Sequence, residues 1–329
     1  MLKYCIKRLL LSIFILLGVS LLIYFLVRLM PMDFISQKIQ SQGITDEKLI
    51  EAAMKAYGLE DNSFWGICKG YWDWLTNFLK GDMGTSWLYL DDVENVIFQN
   101  MGVSFALSFI SLILQLAIAI PLGIKCACNQ YGKLDYTATV LSMIGMSFPS
   151  FFFGSLLIKI FAEEFGWFPA SGLVNPSLPK DASSITAFFD MAWHLVLPLC
   201  VLVILSIGSM MRYTRTNTLE VLNADYIRTA RAKGLSESTV VYKHVFRNTM
   251  IPLVTTLAGV LPSLFGGAMI TEQLFAIEGI GKKAYDALLV GDIPFIMGYN
   301  MFIAILTVAG IWLTDIMYAV VDPRVKLGK

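Results

Sequence analysis

The sequence has little charge for its length and almost no histidine. Asp, Glu, Lys and Arg together make up 15% of the 329 residues, whereas a typical soluble domain has about 25%. The formal net charge is zero, which leaves no electrostatic support for nucleic-acid binding. The two histidines and five scattered cysteines form no paired metal-ligand motif. We therefore predict a chain with no nucleic-acid partner, no metal site and free cysteines.

Charge is missing altogether from six long apolar stretches. They comprise residues 9–27, 101–124, 136–158, 191–211, 248–271 and 293–314. Each is long enough to cross the hydrocarbon layer, which is roughly 30 Å thick, as a helix. The sequence therefore predicts an all-α polytopic membrane protein with six transmembrane helices.

Catalytic and nucleotide-binding patterns are missing too. The nearest match to a phosphate loop is the segment 279–283, but Ala276 occupies the place of its first glycine, and no Ser or Thr follows the lysines. The sequence shows no Ser/His/Asp set and no His-Glu-x-x-His. Glu272 and Asp315 lie only at the ends of spans, whereas ion-coupled carriers place such groups inside them. These absences disfavour a membrane enzyme or a proton-coupled carrier, and we expect no cofactor in this chain and an external source of energy.

The orientation follows from lysine and arginine, which concentrate in short segments on one side of the predicted spans. That side holds both termini and the loop 212–247, and we predict that it is cytoplasmic. The predicted organisation has three parts. Residues 1–30 form a cytoplasmic tip and the first transmembrane helix, residues 31–100 an extracytoplasmic helical insertion, and residues 101–329 a five-helix core.

The extracytoplasmic part contains two predicted helices. One begins at Thr45 and ends near Gly58, and the second is an amphipathic helix over 64–80 that is rich in Trp, Tyr and Phe. Such aromatic residues favour packing or a place at the membrane interface. A groove for sugar or peptide is the alternative.

The polar segment 220–252 between the fourth and fifth spans organises the chain. Good helix formers run from Ala224 to Lys233, with Asn223 or Asp225 as the N-cap. Gly234 is typical of a helix C-terminus, and Ser236 begins a second helix. Two short helices joined at a glycine predict a rigid projection that fits a socket on another protein. An ordinary solvated connector is the alternative, although connectors are more often rich in Gly, Ser and Pro.

Several prolines and glycines fall inside the predicted spans. Proline frees a backbone carbonyl and permits a kink, and small residues permit close helix packing. The candidate gate or kink positions are Pro149, Pro198, Pro262, Gly266 and Gly267. Their alternative role is to shape the bundle.

These features, taken together, resemble the integral membrane permease subunits of bacterial ATP-binding-cassette (ABC) importers of the dipeptide/oligopeptide type, over nearly the whole chain. The motifs that carry the resemblance are Gly18-Val-Ser20, Gly81-Asp-Met-Gly-Thr-Ser86, Ile120-Pro-Leu-Gly123, Ser147-Phe-Pro-Ser150, Trp167-Phe-Pro-Ala-Ser-Gly172, Tyr226-Ile-Arg-Thr-Ala-Arg-Ala-Lys-Gly-Leu235, Arg247-Asn248 with Ile251-Pro252, Glu278-Gly-Ile-Gly281 and Asp322-Pro-Arg324.

The cytoplasmic segment resembles the family's ATPase-coupling loop, whose general form is Glu-Ala-Ala, three residues and Gly. Ala230 and Gly234 match that form, whereas Arg228 and Thr229 stand where Glu and Ala would be. By resemblance, the coupling residues are Asp225, Tyr226, Arg228, Thr229, Ala230, Arg231, Lys233, Gly234 and Leu235. We expect Gly234 to have a positive φ and Ala230 to lie against the ATPase. We expect the basic side chains to form peripheral ion pairs or anchors.

The resemblance implies a type I ABC importer permease fold and a location in the bacterial cytoplasmic (inner) membrane. It implies a heterodimer with a second permease, two cytoplasmic ATPases that bind ATP and Mg, and an extracytoplasmic substrate-binding protein. The implied cargo is a di- or oligopeptide. Nickel and glycan importers of the same family remain alternatives.

Overall fold

The structure is a computed structural model that describes residues 2–29, 63–179 and 183–321. Within these ranges the regular structure is helical, apart from one isolated bridge between Thr85 and Asp92. The predicted helix over 45–58 and the motif at 322–324 lie outside the described residues.

The described residues form thirteen α-helices and two π-helical turns. The helices are α1 Leu2–Arg28, α2 Phe64–Leu79, α3 Val93–Cys128, α4 Lys133–Ser147, α5 Ser150–Leu157, α6 Ser184–His194, α7 Val196–Leu222, α8 Asp225–Ala232, α9 Glu237–Thr239, α10 Phe246–Phe265, α11 Met269–Leu274, α12 Ile280–Val290 and α13 Ile293–Val321. The π-helical turns at Ile158–Glu164 and Val240–Val245 follow α5 and α9.

Four of these helices are long and apolar enough to cross a membrane: α1, α3, α7 and α13. The helix α4, together with α5 and the π-helical turn that extends it to Glu164, is also long and apolar enough to cross as one bent span. The remaining predicted span, 248–271, overlaps α10, but α10 ends at Phe265, and the last predicted residues form a turn and the start of α11. The side chains at 255, 258, 261 and 262 of α10 lie outside the described residues. The prediction of an all-α polytopic membrane protein is confirmed.

The third predicted span is not one continuous helix. The chain bends by 101° between α4 and the helix that starts at Ser150. Phe148 and Pro149 both have extended backbone, with ψ of 133° and 138°. Proline disfavours helical conformation in the residue before it and lacks an N–H for the helix ladder. The sequence predicts a possible kink at Pro149, but the structure has a full break.

The fourth predicted span, 191–211, differs from the observed helix at both ends. Its first residues belong to the separate helix α6, and α7 begins only at Val196. Pro198 lies in the first turn of α7, where a missing N–H costs little, so it produces no mid-span kink. At the other end α7 continues to Leu222 and is about 40 Å long. The predicted loop 212–247 therefore begins as helix, and its first irregular residue is Asn223.

The core of the bundle is the contact between α3 and α7, the most extensive helix pair among the described residues. Gly123 permits this close approach, because a Cβ at this position would lie 2.7 Å from the backbone oxygen of Met211 and 2.8 Å from Cβ of Thr214. Gly208 of α7 permits a similarly close approach to Ser142 of α4. Small residues at helix crossings are the usual way in which membrane helices pack closely.

We expect Gly123→Ala to destabilise the bundle, because the added methyl group would clash with backbone atoms of α7 that cannot move aside. Overpacking of this kind costs about 1–3 kcal/mol. Gly102→Ala is the matched control in the same helix, since a Cβ there has nothing within 4 Å and alanine is the better helix former. The measurement is the thermal unfolding midpoint of both variants in detergent. Equal midpoints would contradict the close packing of α3 on α7.

The predicted amphipathic helix over 64–80 is found as α2, which packs on the C-terminal half of α1. Tyr71 Oη lies 2.8 Å from Ser20 Oγ, which places the motif Gly18-Val-Ser20 in this contact. Trp74 and Tyr24 are buried in the same cluster, together with Met297 of α13. At least part of the aromatic side chains of α2 therefore serves packing, one of the two roles favoured from the sequence.

Candidate functional site

Residues 223–245 fold into a compact projection, here called the knob, between α7 and α10. Its first helix, α8, turns Ile227 and Ala230 inward and leaves the other side chains of the helix outside. The buried pair packs with Val240 and Val245 of the following π turn, and Val221 and Leu222 of α7 close the cluster. The knob thus has a small apolar centre of its own.

The turn of the knob is built around Gly234. Its φ is +75° and a Cβ there would have nothing within 4 Å, so a side chain is disfavoured only by backbone strain of about 1 kcal/mol. Ser236 Oγ then accepts a hydrogen bond from the backbone N–H of Thr239 and caps the next helix. Both features agree with the predicted helix end and helix start.

An ion pair closes the turn from outside. Arg231 donates two hydrogen bonds to the Glu237 carboxylate, at 2.6 and 3.2 Å. The hydrogen bonds from Arg231 hold the pKa of Glu237 below its ordinary value. The pair is therefore complete at neutral pH and is lost only as the pH falls through that lowered pKa. The ion pair of Arg231 therefore lies within the knob, where it joins α8 to α9. This refines the expectation that Arg231 forms a peripheral ion pair.

Two details of the sequence-based prediction are wrong. Neither Asn223 nor Asp225 is the N-cap of α8, because Ala224 takes that place, Asn223 ends α7 and Asp225 stands in the first turn. Ala230 does not face outward, since only 7% of its surface is exposed. Its position three residues after Ile227 was the available signal for burial, because residues i and i+3 share one helix face.

The outward surface of the knob mixes charge and apolar area. Tyr226 is 49% exposed and Leu235 39%. The other exposed members of the predicted set are Asp225, Arg228, Thr229, Arg231, Lys233 and Gly234. Arg228 and Asp225 lie 3.5 Å apart in a solvent-exposed pair, which contributes little to stability. An aromatic side chain and arginines on a rigid base are the residue types enriched at protein–protein interfaces.

Below the knob, α7 is anchored by an ion pair that sequence reasoning missed. Arg215 of α7 donates to both carboxylate oxygens of Asp135, at 2.6 and 2.7 Å. The backbone N–H of Tyr131 also donates to this carboxylate, at 2.9 Å. The Asp135 side chain is 5% exposed and that of Arg215 21%. A lone carboxylate directly before a predicted span is the only sequence signal for this site.

At the opposite end of the bundle, glycines surround a buried carboxylate. Glu272 is fully buried, and it accepts hydrogen bonds from the backbone N–H groups of Ala268 and Lys282, both at 2.9 Å. A Cβ at Gly279 would collide with Glu272 and with Ser104, and a Cβ at Gly281 would lie 2.9 Å from the carboxylate. The motif Glu278-Gly-Ile-Gly281 is therefore a cradle for Glu272, not a phosphate loop.

Another buried carboxylate, that of Asp292, explains the motif before α3. Asp292 accepts from Ser86 Oγ at 2.5 Å and from the backbone N–H of Leu88 at 3.0 Å. It also accepts from the backbone N–H of Phe295 at the start of α13. Asp292 thus ties the turn after Gly81 to α13. Glu272 and Asp292 both accept hydrogen bonds from structural donors. The described residues contain no group of three or more His, Cys, Asp or Glu that could hold a metal ion.

The structure places the candidate gate residues in different settings. Pro149 is exposed at the 101° break, and Pro198 is buried in the first turn of α7. Pro262 lies in α10, with its side chain outside the described residues. Gly266 ends α10, where its carbonyl accepts from Tyr299 Oη at 2.7 Å, and Gly267 has φ +76° beside Gly281. The two glycines form a turn rather than a mid-span packing site.

Comparison with known proteins gives matches over the whole chain. Residues 119–327 match the sequence model of the family described as binding-protein-dependent transport system inner membrane component. The oligopeptide transport system permease protein AppB of Bacillus subtilis is 37% identical over 327 residues, which cover 99% of this chain and 100% of that protein. The dipeptide transport system permease protein DppB of Alkalihalophilus pseudofirmus is 31% identical, with 99% and 100% covered. The chain belongs to the family of inner membrane components of binding-protein-dependent transport systems, a family of ABC transporter permeases with the type I fold.

Proposed function

We propose that this chain is the permease subunit of an ATP-driven importer of di- or oligopeptides. The observation that carries the proposal is the full-length similarity to proteins named for oligopeptide and dipeptide transport. The knob agrees with it, because a rigid projection with an exposed aromatic and charged surface suits a partner protein. ATP and Mg bind to the partner ATPases in this proposal.

The mechanism follows from how the knob is joined to the bundle. Its apolar centre includes Val221 and Leu222 from the end of α7, and its last turn continues into α10. A displacement of the knob is therefore passed on to both helices. We propose that two ATPases bind the knob of this chain and that of a second, similar permease. Their closure would move α7 and α10 and alternate access to the pathway between the permeases, with an extracytoplasmic binding protein supplying the peptide.

We further propose the predicted topology, with both termini and the knob in the cytoplasm, and the predicted division at residues 30 and 100. Lysine and arginine placement supports the orientation. The helix α2 and the turns around Glu272 and Asp292 then lie on the extracytoplasmic side. Access by the binding protein would be from this side.

Thiol labelling tests the topology. Cys68 of α2 and Cys128 at the end of α3 are both exposed, whereas Cys126 is buried. In intact cells, a membrane-impermeant maleimide should label a variant that keeps only Cys68. A variant that keeps only Cys128 should react only after detergent is added. Labelling of Cys128 in intact cells, with Cys68 protected, would reverse the proposed orientation.

Uptake measurements test the cargo. Deletion of the gene should abolish uptake of labelled di- and oligopeptides carried by this system and leave nickel uptake unchanged, because the similarity is to peptide permeases. Restoring the wild-type gene should restore peptide uptake. Loss of nickel uptake with peptide uptake intact would instead assign the chain to the nickel importers of the family.

A further inference from the structure

A pocket of about 260 Å³ opens between α4 and α7 near the knob. It is lined by Tyr131, Tyr136, Thr139, Arg212 and Thr216, with the Asp135–Arg215 ion pair as part of its wall. The pocket is separate from the outward surface of the knob. None of its lining residues is part of the proposed ATPase-coupling set.

The pocket carries an uncompensated positive charge. Both oxygens of Asp135 are taken by Arg215, and one of them also accepts from Tyr131. Arg212 lies one turn before Arg215 on the same helix. Its only polar contact among the described residues is a long one, 3.5 Å to Sδ of Met146, and it forms no ion pair there. The donors of such a half-buried guanidinium suit the oxygens of an anion.

The pocket also lies at the expected membrane boundary. Tyr136 is the first residue of a predicted span, and Arg212 is the first charged residue after another. Exposed tyrosines are typical of this depth. Further along α4, Val140 and Met143 follow Tyr136 at helical spacing and are 53% and 49% exposed. The polar pocket therefore continues into an apolar strip on α4 that runs toward the membrane interior.

We propose that this pocket binds the phosphate of an anionic phospholipid from the leaflet on the knob side. The Arg212 guanidinium donates to the phosphate oxygens, and the hydroxyl groups of Tyr131, Tyr136 and Thr139 surround the headgroup. The acyl chains lie along Val140 and Met143. The bound lipid bridges α4 to α7, the helix that leads into the knob.

The test is lipid retention by the full-length protein, purified with whatever subunits accompany it. The protein is equilibrated in detergent with phosphatidylglycerol or phosphatidylcholine, and retained lipid is counted by native mass spectrometry. Wild type should retain phosphatidylglycerol selectively. Arg212→Gln should lower this retention about tenfold, the usual effect of losing one charge-assisted hydrogen bond. Lys243→Gln, which removes an exposed cation from the knob outside the predicted coupling set, should leave it unchanged.

Arg212→Lys separates lost binding from a folding defect, because it keeps the charge and should restore most of the retention. Unchanged retention in Arg212→Gln, or equal retention of both lipids, would overturn the proposal. Displacement of the lipid by millimolar inorganic phosphate would show a site for a free anion instead. The lipid could also be retained by the chain alone but not by its complex with a second permease. This result would assign the apolar strip to the subunit interface and would also overturn the proposal.

Discussion

Ala230→Glu is expected to abolish transport and detach the ATPases while the chain still inserts into the membrane. Ala230 lies in the apolar centre of the knob with Ile227, Val240 and Val245. A carboxylate there has no partner in the cluster, and burying it costs several kcal/mol. A loss of about 3 kcal/mol lowers the ratio of folded to unfolded knob about 100-fold. The surface offered to the ATPases would then be lost by unfolding, not by a direct clash.

Ala232→Glu is the matched control, because it makes the same substitution in the same helix at an exposed position. It should retain most ATPase association and uptake. The measurements are co-purification of the ATPases, peptide uptake and limited proteolysis of the knob. Cleavage should become faster in Ala230→Glu only. If Ala230→Glu retains wild-type association and resists proteolysis as wild type does, the buried centre of the knob is not what presents the docking surface.

Asp135→Asn is expected to destabilise the bundle and slow transport, since it removes the charge that Arg215 pairs with. Loss of one partner leaves the other charge half-buried without compensation, and breaking such a pair costs about 3–5 kcal/mol when it is fully buried. Arg215 is 21% exposed, so we expect about 2–3 kcal/mol. The lost contact joins α4 to α7, so movement of the knob should be transmitted less efficiently.

Asp73→Asn on α2 is the control, because Asp73 is exposed and should change the unfolding midpoint little. Replacing both partners, Asp135→Leu with Arg215→Met, should recover much of the stability, as apolar residues often replace buried ion pairs at little cost. Thermal unfolding in detergent and uptake give the two readouts. An Asp135→Asn variant as stable as Asp73→Asn would show that the ion pair does not hold these helices together.

Local signals located the knob well. Gly234 and Ser236 mark its turn because a positive φ and a side-chain cap depend on neighbouring residues only. The buried face of α8 could also be predicted from the sequence, since Ile227 and Ala230 are three residues apart. What misled the prediction of Ala230 was its small size, which suits a close contact with a partner protein as well as a close contact within the chain.

The buried carboxylates were beyond such reasoning. Ser86 and Asp292 are 206 residues apart, and Arg215 and Asp135 are 80 apart. Each of these residues looks like an ordinary polar residue near the end of a span. Only the packing of the helices decides which donor meets which carboxylate, and nothing local in the sequence marks the pairing.

The sequence by itself determined that the chain is helical, crosses the membrane several times and carries a two-helix projection, because apolar run length and helix-end residues are local properties. Only the tertiary structure decided the 101° break at Pro149, the inward position of Ala230 and the cradle of Gly267, Gly279 and Gly281 around Glu272. These features depend on which surfaces meet when the helices pack. A proline permits a bend of any size up to a full break, and the neighbouring helices fix its angle.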